Sequence, residues 1–110
     1  MSVNEIIEKL NLKVFYLPQG TMRDVKGGYT SDLLSDVMGH AEEGQVWITL
    51  QTHKNIVAVA SLKELAAIVL VKGFVPEAET VEAAIAEEIP LLGSDLGAFE
   101  LSGKLYDLLK

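Results

Sequence analysis

The stretch that decides the fold is VWITLQTHKNIVAVASL, residues 46–62. It begins with a short apolar run typical of a buried strand, breaks at the polar residues QTHKN (51–55), and resumes as an apolar stretch with helical spacing. The pattern predicts a strand, a polar turn and the first turns of a helix. Because ligands of open α/β sheets bind at the carboxyl ends of strands, the turn 51–55 is the expected binding position.

From residue 45 onward, strands and helices are predicted to alternate. Residues 45–50, 66–71 and 90–93 have the composition of strands, and the first of them is expected to be the central one. A helical pattern follows each strand. This alternation predicts an α/β domain, with mostly parallel strands, right-handed crossovers and helices on the sheet faces.

The chain is predicted to begin with a short helix and a strand. Ser2 and Glu5 have the spacing of a capping box, and Asn11 suits a left-handed C-cap. Residues 13–17, KVFYL, favour the strand. Met22 and Val25 then favour a second strand.

Gly27-Gly28 is expected to interrupt that second strand. Two adjacent glycines within a strand pattern indicate a bulge, a turn with positive φ, or the close approach of another backbone. Ser31 should then cap a short helix over residues 32–38, with Asp32 against its positive end. Asp32 and Asp36 share a helical face, where a solvated acidic surface is favoured over a cation site because no third acidic ligand is visible.

Two later helices carry further expectations. Pro76 is predicted at the first helical position, and the apolar face of that helix should include Val81, Ile85 and Ile89. Ser94 or Asp95 is expected to cap the last helix.

Composition and charge exclude several functional classes. Hydrophobic residues make up 49% of the chain, and 16 acidic against 9 basic residues give a net charge of −7. Such a surface repels nucleic acids and anionic membranes, so neither is an expected partner. Cysteine is absent, which removes disulfides and thiolate chemistry. Without a signal peptide or a spanning apolar segment in the sequence, a cytoplasmic location is expected.

No catalytic constellation is visible in the sequence. The glycine-rich phosphate loops are absent, and His40 and His53 lack the spacing of metal ligands. His40 is expected to stabilise the end of a short helix. His53 is the one candidate acid or base, but no carboxylate or nucleophile converges on it. We therefore expect no catalytic residue, no metal and no cofactor, and an enzyme using His53 ranks below the binding functions.

Two runs carry a resemblance to a known family. The run DVKGGYTSDLLSDVM (24–38) followed by WITLQTHKNIVAVASLKELAAIVLVKG (47–73) closely resembles the DRTGG-domain family. Asp24, Gly27 and Gly28 match the pentapeptide that names the family, whereas Val25 and Lys26 replace its arginine and threonine.

The resemblance implies a fold and a class of function. It implies one three-layer α/β/α domain over residues 1–110, similar to the N-terminal domain of HPr kinase/phosphorylase, in its free-standing form. Such domains look regulatory and not catalytic. They occur in bacterial phosphotransacetylases and in pyrophosphatases with paired CBS domains.

Two binding functions follow. The first is a non-catalytic regulatory module that forms a homodimer and modulates a partner enzyme. The second is a sensor of a nucleotide or phosphorylated metabolite, with backbone amides at a helix N-terminus favouring the anion. The residues expected to form one ligand- or partner-binding edge are Gly27, Gly28, Ser31, Asp32, Thr49, Gln51, Thr52, His53 and Asn55.

Overall fold

The computed structural model describes residues 1–20 and 23–110, so the Met22 end of the predicted second strand lies outside the described residues. The elements within these ranges are α1 (Val3–Lys9), β1 (Lys13–Tyr16), β2 (Gly27–Thr30), α2 (Leu34–His40), β3 (Gln45–Thr49), α3 (Asn55–Leu62), β4 (Ala67–Leu70), α4 (Ala78–Glu87), β5 (Leu91–Gly93) and α5 (Ala98–Leu109).

The strands form one mixed sheet in the order β1-β5-β4-β3-β2. Neighbours from β2 to β5 are parallel, and β1 is antiparallel to β5. The predicted α/β class with a mostly parallel sheet is confirmed. The expectation that β3 is central is wrong, because β4 lies in the middle and β3 is next to the β2 edge. A continuous apolar run shows that both faces of a strand are covered, but it does not give the position of that strand among its neighbours.

Two apolar clusters lie on opposite faces of the sheet. On one face, α1 and α5 pack against the side of β3 that carries Val46 and Ile48. On the other face, α2, α3 and α4 pack against the side that carries Trp47. Side chains alternate between the faces of a strand, so one short strand supplies both clusters. The arrangement has three layers, α/β/α.

The predicted capping box of α1 is present. The Glu5 backbone N–H donates to Ser2 Oγ at 3.1 Å, and the Ser2 N–H donates to Glu5 Oε1 at 3.0 Å. The backbone hydrogen bond from Ser2 is the main cause of a lowered pKa of Glu5. Asn11 has a left-handed backbone with φ of 52°, as its position after the helix predicted.

The predicted start of α2 is wrong. Leu33 occupies the N-cap position, and Asp32 lies before the helix. The Ser31 hydroxyl accepts a hydrogen bond from the Leu33 N–H at 3.2 Å, which forms a serine turn ahead of the helix. A serine before an apolar run is compatible with either arrangement, and the packing of the loop decided between them.

The last helix shows the same deviation. Neither Ser94 nor Asp95 caps α5, whose N-cap position is Gly97. Ser94 Oγ accepts from the Leu96 N–H at 3.1 Å, and Asp95 pairs with Lys13 at 3.1 Å. Both polar side chains stabilise the connection that leads to the helix.

The predicted start of α4 is wrong, and its predicted apolar face is only partly right. Pro76 lies outside the helix, because the N-cap position is Glu77. Of the predicted face, Ile89 is buried and Val81 packs against the core, whereas Ile85 is 51% exposed. The buried residues within α4 itself are Thr80 and Ala84. Small residues on this face let α4 approach the sheet closely, which a pattern based on large apolar residues does not predict.

Gly27 and Gly28 belong to β2 and do not interrupt it. They pair in regular register with Gln45 and Val46, and neither has positive φ. A bulge and a turn are therefore excluded. A Cβ added to Gly28 would lie 3.0 Å from Leu105 Cδ2, so the close neighbour of Gly28 is a side chain of α5 and not another backbone, and a larger residue there would displace that side chain.

Within the described ranges, no helix combines the length and the apolar character needed to cross a membrane.

Candidate functional site

The two halves of the expected binding edge lie at opposite ends of the sheet. Gly27 pairs with Gln45 at the start of β3, whereas residues 51–55 follow the end of β3. At about 3.3 Å per residue along a strand, roughly 20 Å separates them. The expectation of one edge formed by Gly27-Gly28 and residues 51–55 is therefore wrong. The parallel register of β2 and β3 makes their convergence impossible.

The carboxyl end of β3 is organised by Asp32. Its Oδ1 atom accepts hydrogen bonds from Thr49 Oγ1 and from the Leu50 N–H, both at 2.8 Å. Its backbone carbonyl accepts from Gln51 Nε2 at 2.9 Å. Thr49 Oγ1 also accepts from the Gln51 N–H at 3.2 Å, and Thr49 is only 1% exposed. Three of the predicted site residues therefore bind one another.

Ser31 and Trp47 connect the same loop to the sheet. The Ser31 N–H donates to the Ile48 carbonyl at 3.2 Å, and its own carbonyl accepts from Trp47 Nε1 at 2.8 Å. The side chain of the only tryptophan thus fixes the loop that positions Asp32.

Asp36 has a structural role on the neighbouring helix. Tyr29 Oη donates to Asp36 Oδ2 at 2.9 Å, and His40 Nδ1 lies 3.2 Å from Asp36 Oδ1. Hydrogen bonds from Ser31 and then from Tyr29 lower the pKa of Asp36. Desolvation and the bond to Asp36 raise the pKa of Tyr29. The expected solvated acidic face is wrong here, because the Asp36 carboxylate connects β2 to α2.

In the part of the chain that the structure describes, no group of three or more His, Cys, Asp or Glu side chains is arranged to hold a metal ion.

The turn between β3 and α3 is held mainly through its backbone. The Thr52 carbonyl accepts from Thr80 Oγ1 at 2.7 Å and from the Glu77 N–H at 3.2 Å. His53 Nδ1 accepts from the Asn55 N–H at 3.3 Å. Within this turn, the exposed side chains are those of residues 53–55. A ligand would therefore meet an exposed turn whose backbone is fixed.

A cavity of about 540 Å³ lies between β2 and α5, at the end of the sheet where Gly27 and Gly28 lie. We call it the β2–α5 cavity. Its volume is within the range of small-ligand sites. Thr30 Oγ1 and Ser102 Oγ are 2.7 Å apart beside it. The cavity is lined by Lys26, Gly27, Gly28, Thr30, Gln45, Ile48, Ser102, Leu105, Tyr106, Leu109 and Lys110.

Sequence reasoning missed the contribution of α5 to this cavity. Leu105 and Tyr106 are far from Gly28 in the sequence, and their spacing indicates only an apolar helix face. It also missed Arg23, whose guanidinium donates to the Leu65 and Glu88 carbonyls at 3.0 and 2.8 Å. These carbonyls follow the ends of α3 and α4, and no local sequence pattern indicates that Arg23 binds them.

Comparison with known proteins identifies the fold. No family model and no curated protein matches this sequence. Among solved structures, the chain is similar to the CBS and DRTGG domains of the regulatory region of Clostridium perfringens pyrophosphatase, complexed with its activator, diadenosine tetraphosphate. The TM-score is 0.75, with 16% sequence identity over 96% of this chain, which spans 45% of the length of that one. The chain therefore has a DRTGG-like fold, as the sequence resemblance predicted.

Proposed function

We propose that this chain is a non-catalytic regulatory module that self-associates and modulates a partner enzyme. The observation that carries the proposal is the fold, which the chain shares with the regulatory region of a pyrophosphatase. A fold alone does not define a function, so the chemistry of the chain itself must agree.

The chemistry of the carboxyl edge favours binding over catalysis. Nucleophilic catalysis needs a hydroxyl that is next to a general base and open to a substrate. The Thr49 hydroxyl donates to the Asp32 carboxylate, but Thr49 is only 1% exposed, so a substrate has no access to that hydroxyl. His53 accepts a hydrogen bond from the Asn55 backbone, which gives its ring a structural role at the start of α3. These groups hold the loops in place and are not arranged around a substrate.

The outer face of α5 supports self-association. Phe99 is 95% exposed and Tyr106 is 73% exposed, and Gly103 lies between them on the same helical face. A Cβ at Gly103 would meet no atom within 4 Å, so packing within the chain does not require glycine there. Glycine inside a helix costs about 1 kcal/mol relative to alanine. Two exposed aromatic rings beside a glycine suit close contact with a second copy.

Sedimentation equilibrium at tens of micromolar tests this proposal. We expect a dimer for the native chain and a monomer for the double variant Phe99→Ser with Tyr106→Ser. Val75→Ser is the matched control, because Val75 is 67% exposed and lies outside α5. A native chain that is monomeric at these concentrations would refute self-association. A dimer that persists in the double variant would show that the dimer contact lies outside the outer face of α5.

A second candidate function is the sensing of a nucleotide or phosphorylated metabolite. The observation that favours it is the β2–α5 cavity, which combines apolar side chains with Lys26 and Lys110. The structurally similar regulatory region of the pyrophosphatase binds diadenosine tetraphosphate, so this compound is the first one to test.

Thermal denaturation with millimolar ATP, GTP or diadenosine tetraphosphate tests the sensor function. A ligand at 100 times its dissociation constant should stabilise the fold by about 2.7 kcal/mol. Lys26→Gln should reduce that stabilisation, and Lys72→Gln should not, because Lys72 is exposed and remote from the cavity lining. No change in Tm with any of the three compounds would refute a nucleotide sensor.

A further inference from the structure

We infer that the free edge of β2 binds an extended segment of a partner protein by strand addition, with an apolar side chain of that segment in the β2–α5 cavity and an acidic side chain paired with Lys26. The inference rests on the proposed function, because it names the surface on which the partner docks.

The backbone of β2 offers a free edge. β2 is the last strand of the sheet, with β3 on one side only. The Ser31 N–H donates toward β3, to the Ile48 carbonyl at 3.2 Å. Backbone groups of alternate residues in a parallel strand point to the same side. Those of Gly28 and Thr30 therefore point away from β3, and both residues are exposed. An added strand would bind these two residues.

The opposite edge of the sheet lacks these properties. The register of β1 shifts between Val14 and Tyr16, and Pro18 follows soon after the strand. Bulges and prolines are the usual devices that prevent pairing at an exposed edge. The register of β2 is regular over all four of its residues. Of the two edges, β2 is thus the one shaped for pairing.

Because Gly27 and Gly28 are adjacent in β2, each face of the strand lacks one side chain at this edge. Gly28 is explained by its contact with Leu105, but Gly27 is not explained within the chain. A Cβ at Gly27 would meet only the Gln45 side chain, at an ordinary distance of 3.7 Å, and the φ of Gly27 is not positive. Glycine in a regular strand without such a reason marks the close approach of a ligand or another backbone.

The cavity defines the chemistry of the segment. Ile48 and Leu105 are buried apolar side chains at the cavity, which suits one apolar anchor residue. Lys26 and Lys110 line it without any acidic side chain, although the whole chain carries a net charge of −7. Lys110 pairs with Asp107 at 3.3 Å, whereas Lys26 forms no ion pair with any described residue, so we assign the bound carboxylate to Lys26.

An extended peptide matches this surface better than a small molecule does. Strand addition uses alternating donors and acceptors along an edge for affinity, and pockets beside the edge for specificity. Gly28 and Thr30 offer the backbone donors and acceptors, and the adjacent β2–α5 cavity offers the pocket.

The test uses a displayed library of random linear peptides against the full chain. We expect enriched peptides to pair an acidic residue with an apolar or aromatic one. When such a peptide is synthesised and bound, amide hydrogen exchange should slow at Gly28 and Thr30. Lys26→Glu should weaken binding by about fivefold or more, whereas Lys72→Glu should leave it unchanged. Lys26→Gln is the second variant, because it removes the charge and keeps most of the stem that packs on Gly44.

Several results would overturn the inference. These are the absence of any enriched peptide, protection at residues other than Gly28 and Thr30, and equal binding by both Lys26 variants and the native chain. Concentration-dependent protection of the same amides without peptide would show that a second copy occupies the edge. If nucleotides raise the Tm and no peptide binds, the β2–α5 cavity belongs to the sensor function. The dimer is measured separately by sedimentation, so a dimer without peptide binding refutes this inference and leaves self-association standing.

Discussion

Replacing Asp32 with alanine is expected to destabilise the fold strongly, although Asp32 is an exposed residue in a loop. The carboxylate accepts hydrogen bonds from the Thr49 hydroxyl and from the Leu50 N–H. The substitution removes both hydrogen bonds at once, because both donors point at the same oxygen, Asp32 Oδ1. It also releases the end of β3, where the binding turn begins.

The magnitude follows from the two donors that lose their partner. A hydrogen bond to a charged group contributes about 1.5–3 kcal/mol, and a buried donor left unsatisfied costs about 1–3 kcal/mol. Thr49 is 1% exposed, so its hydroxyl has no access to water, whereas Leu50 is half-buried and can be partly solvated. We therefore expect a loss of about 2–3 kcal/mol in the free energy of unfolding.

Urea denaturation followed by tryptophan fluorescence measures this loss. Trp47 is the only tryptophan, it is fully buried, and its Nε1 donates to the Ser31 carbonyl in the same loop. The midpoint should fall without a change in slope. Asp32→Asn is the matched control, because the amide keeps an acceptor oxygen and loses only the charge, so its loss should be smaller.

A double-mutant cycle with Thr49→Val identifies the contact. If the Asp32 carboxylate stabilises the fold through Thr49, the cycle should give a coupling of about 0.5 kcal/mol or more. A loss below about 0.5 kcal/mol in Asp32→Ala, or additive effects in the cycle, would refute the structural role. The carboxylate would then be free to serve a ligand.

Three further predictions concern the amino-terminal half of the chain. Ser2→Ala should lower the free energy of unfolding by about 1 kcal/mol in urea titrations, because the capping box with Glu5 is lost, and an unchanged stability would contradict it. Gly27→Ala should raise the free energy of unfolding by about 0.4–1 kcal/mol, since its Cβ meets no obstacle, and a loss in the same assay would show hidden strain. The pKa of Asp36 is lowered on folding from its ordinary value of 3.8, so its contribution is present at neutral pH and is lost as the pH falls through the folded pKa. The difference in Tm between the native chain and Asp36→Asn should therefore shrink below about pH 4, and a difference that does not depend on pH would contradict the role of the charge.

The sequence by itself determined the elements and the class of the fold. The runs around β3, β4 and β5 are apolar over consecutive residues, and the capping box of α1 involves neighbours in the chain. These signals act over a few residues, so they are readable without the fold. The starts of α2 and α5 were less predictable. A serine hydroxyl can accept a backbone hydrogen bond either in a turn or at a helix N-cap, and Ser31 and Ser94 do so in turns.

Only the tertiary structure decided where the candidate sites lie. The register of β2 on β3 places Gly27-Gly28 at one end of the sheet and the turn 51–55 at the other. The packing of α5 against β2 brings Thr30 Oγ1 within 2.7 Å of Ser102 Oγ, 72 positions away in the chain, beside the β2–α5 cavity. Strand order and helix placement depend on which distant surfaces bury the most apolar area together, and that quantity belongs to the whole chain and not to any segment.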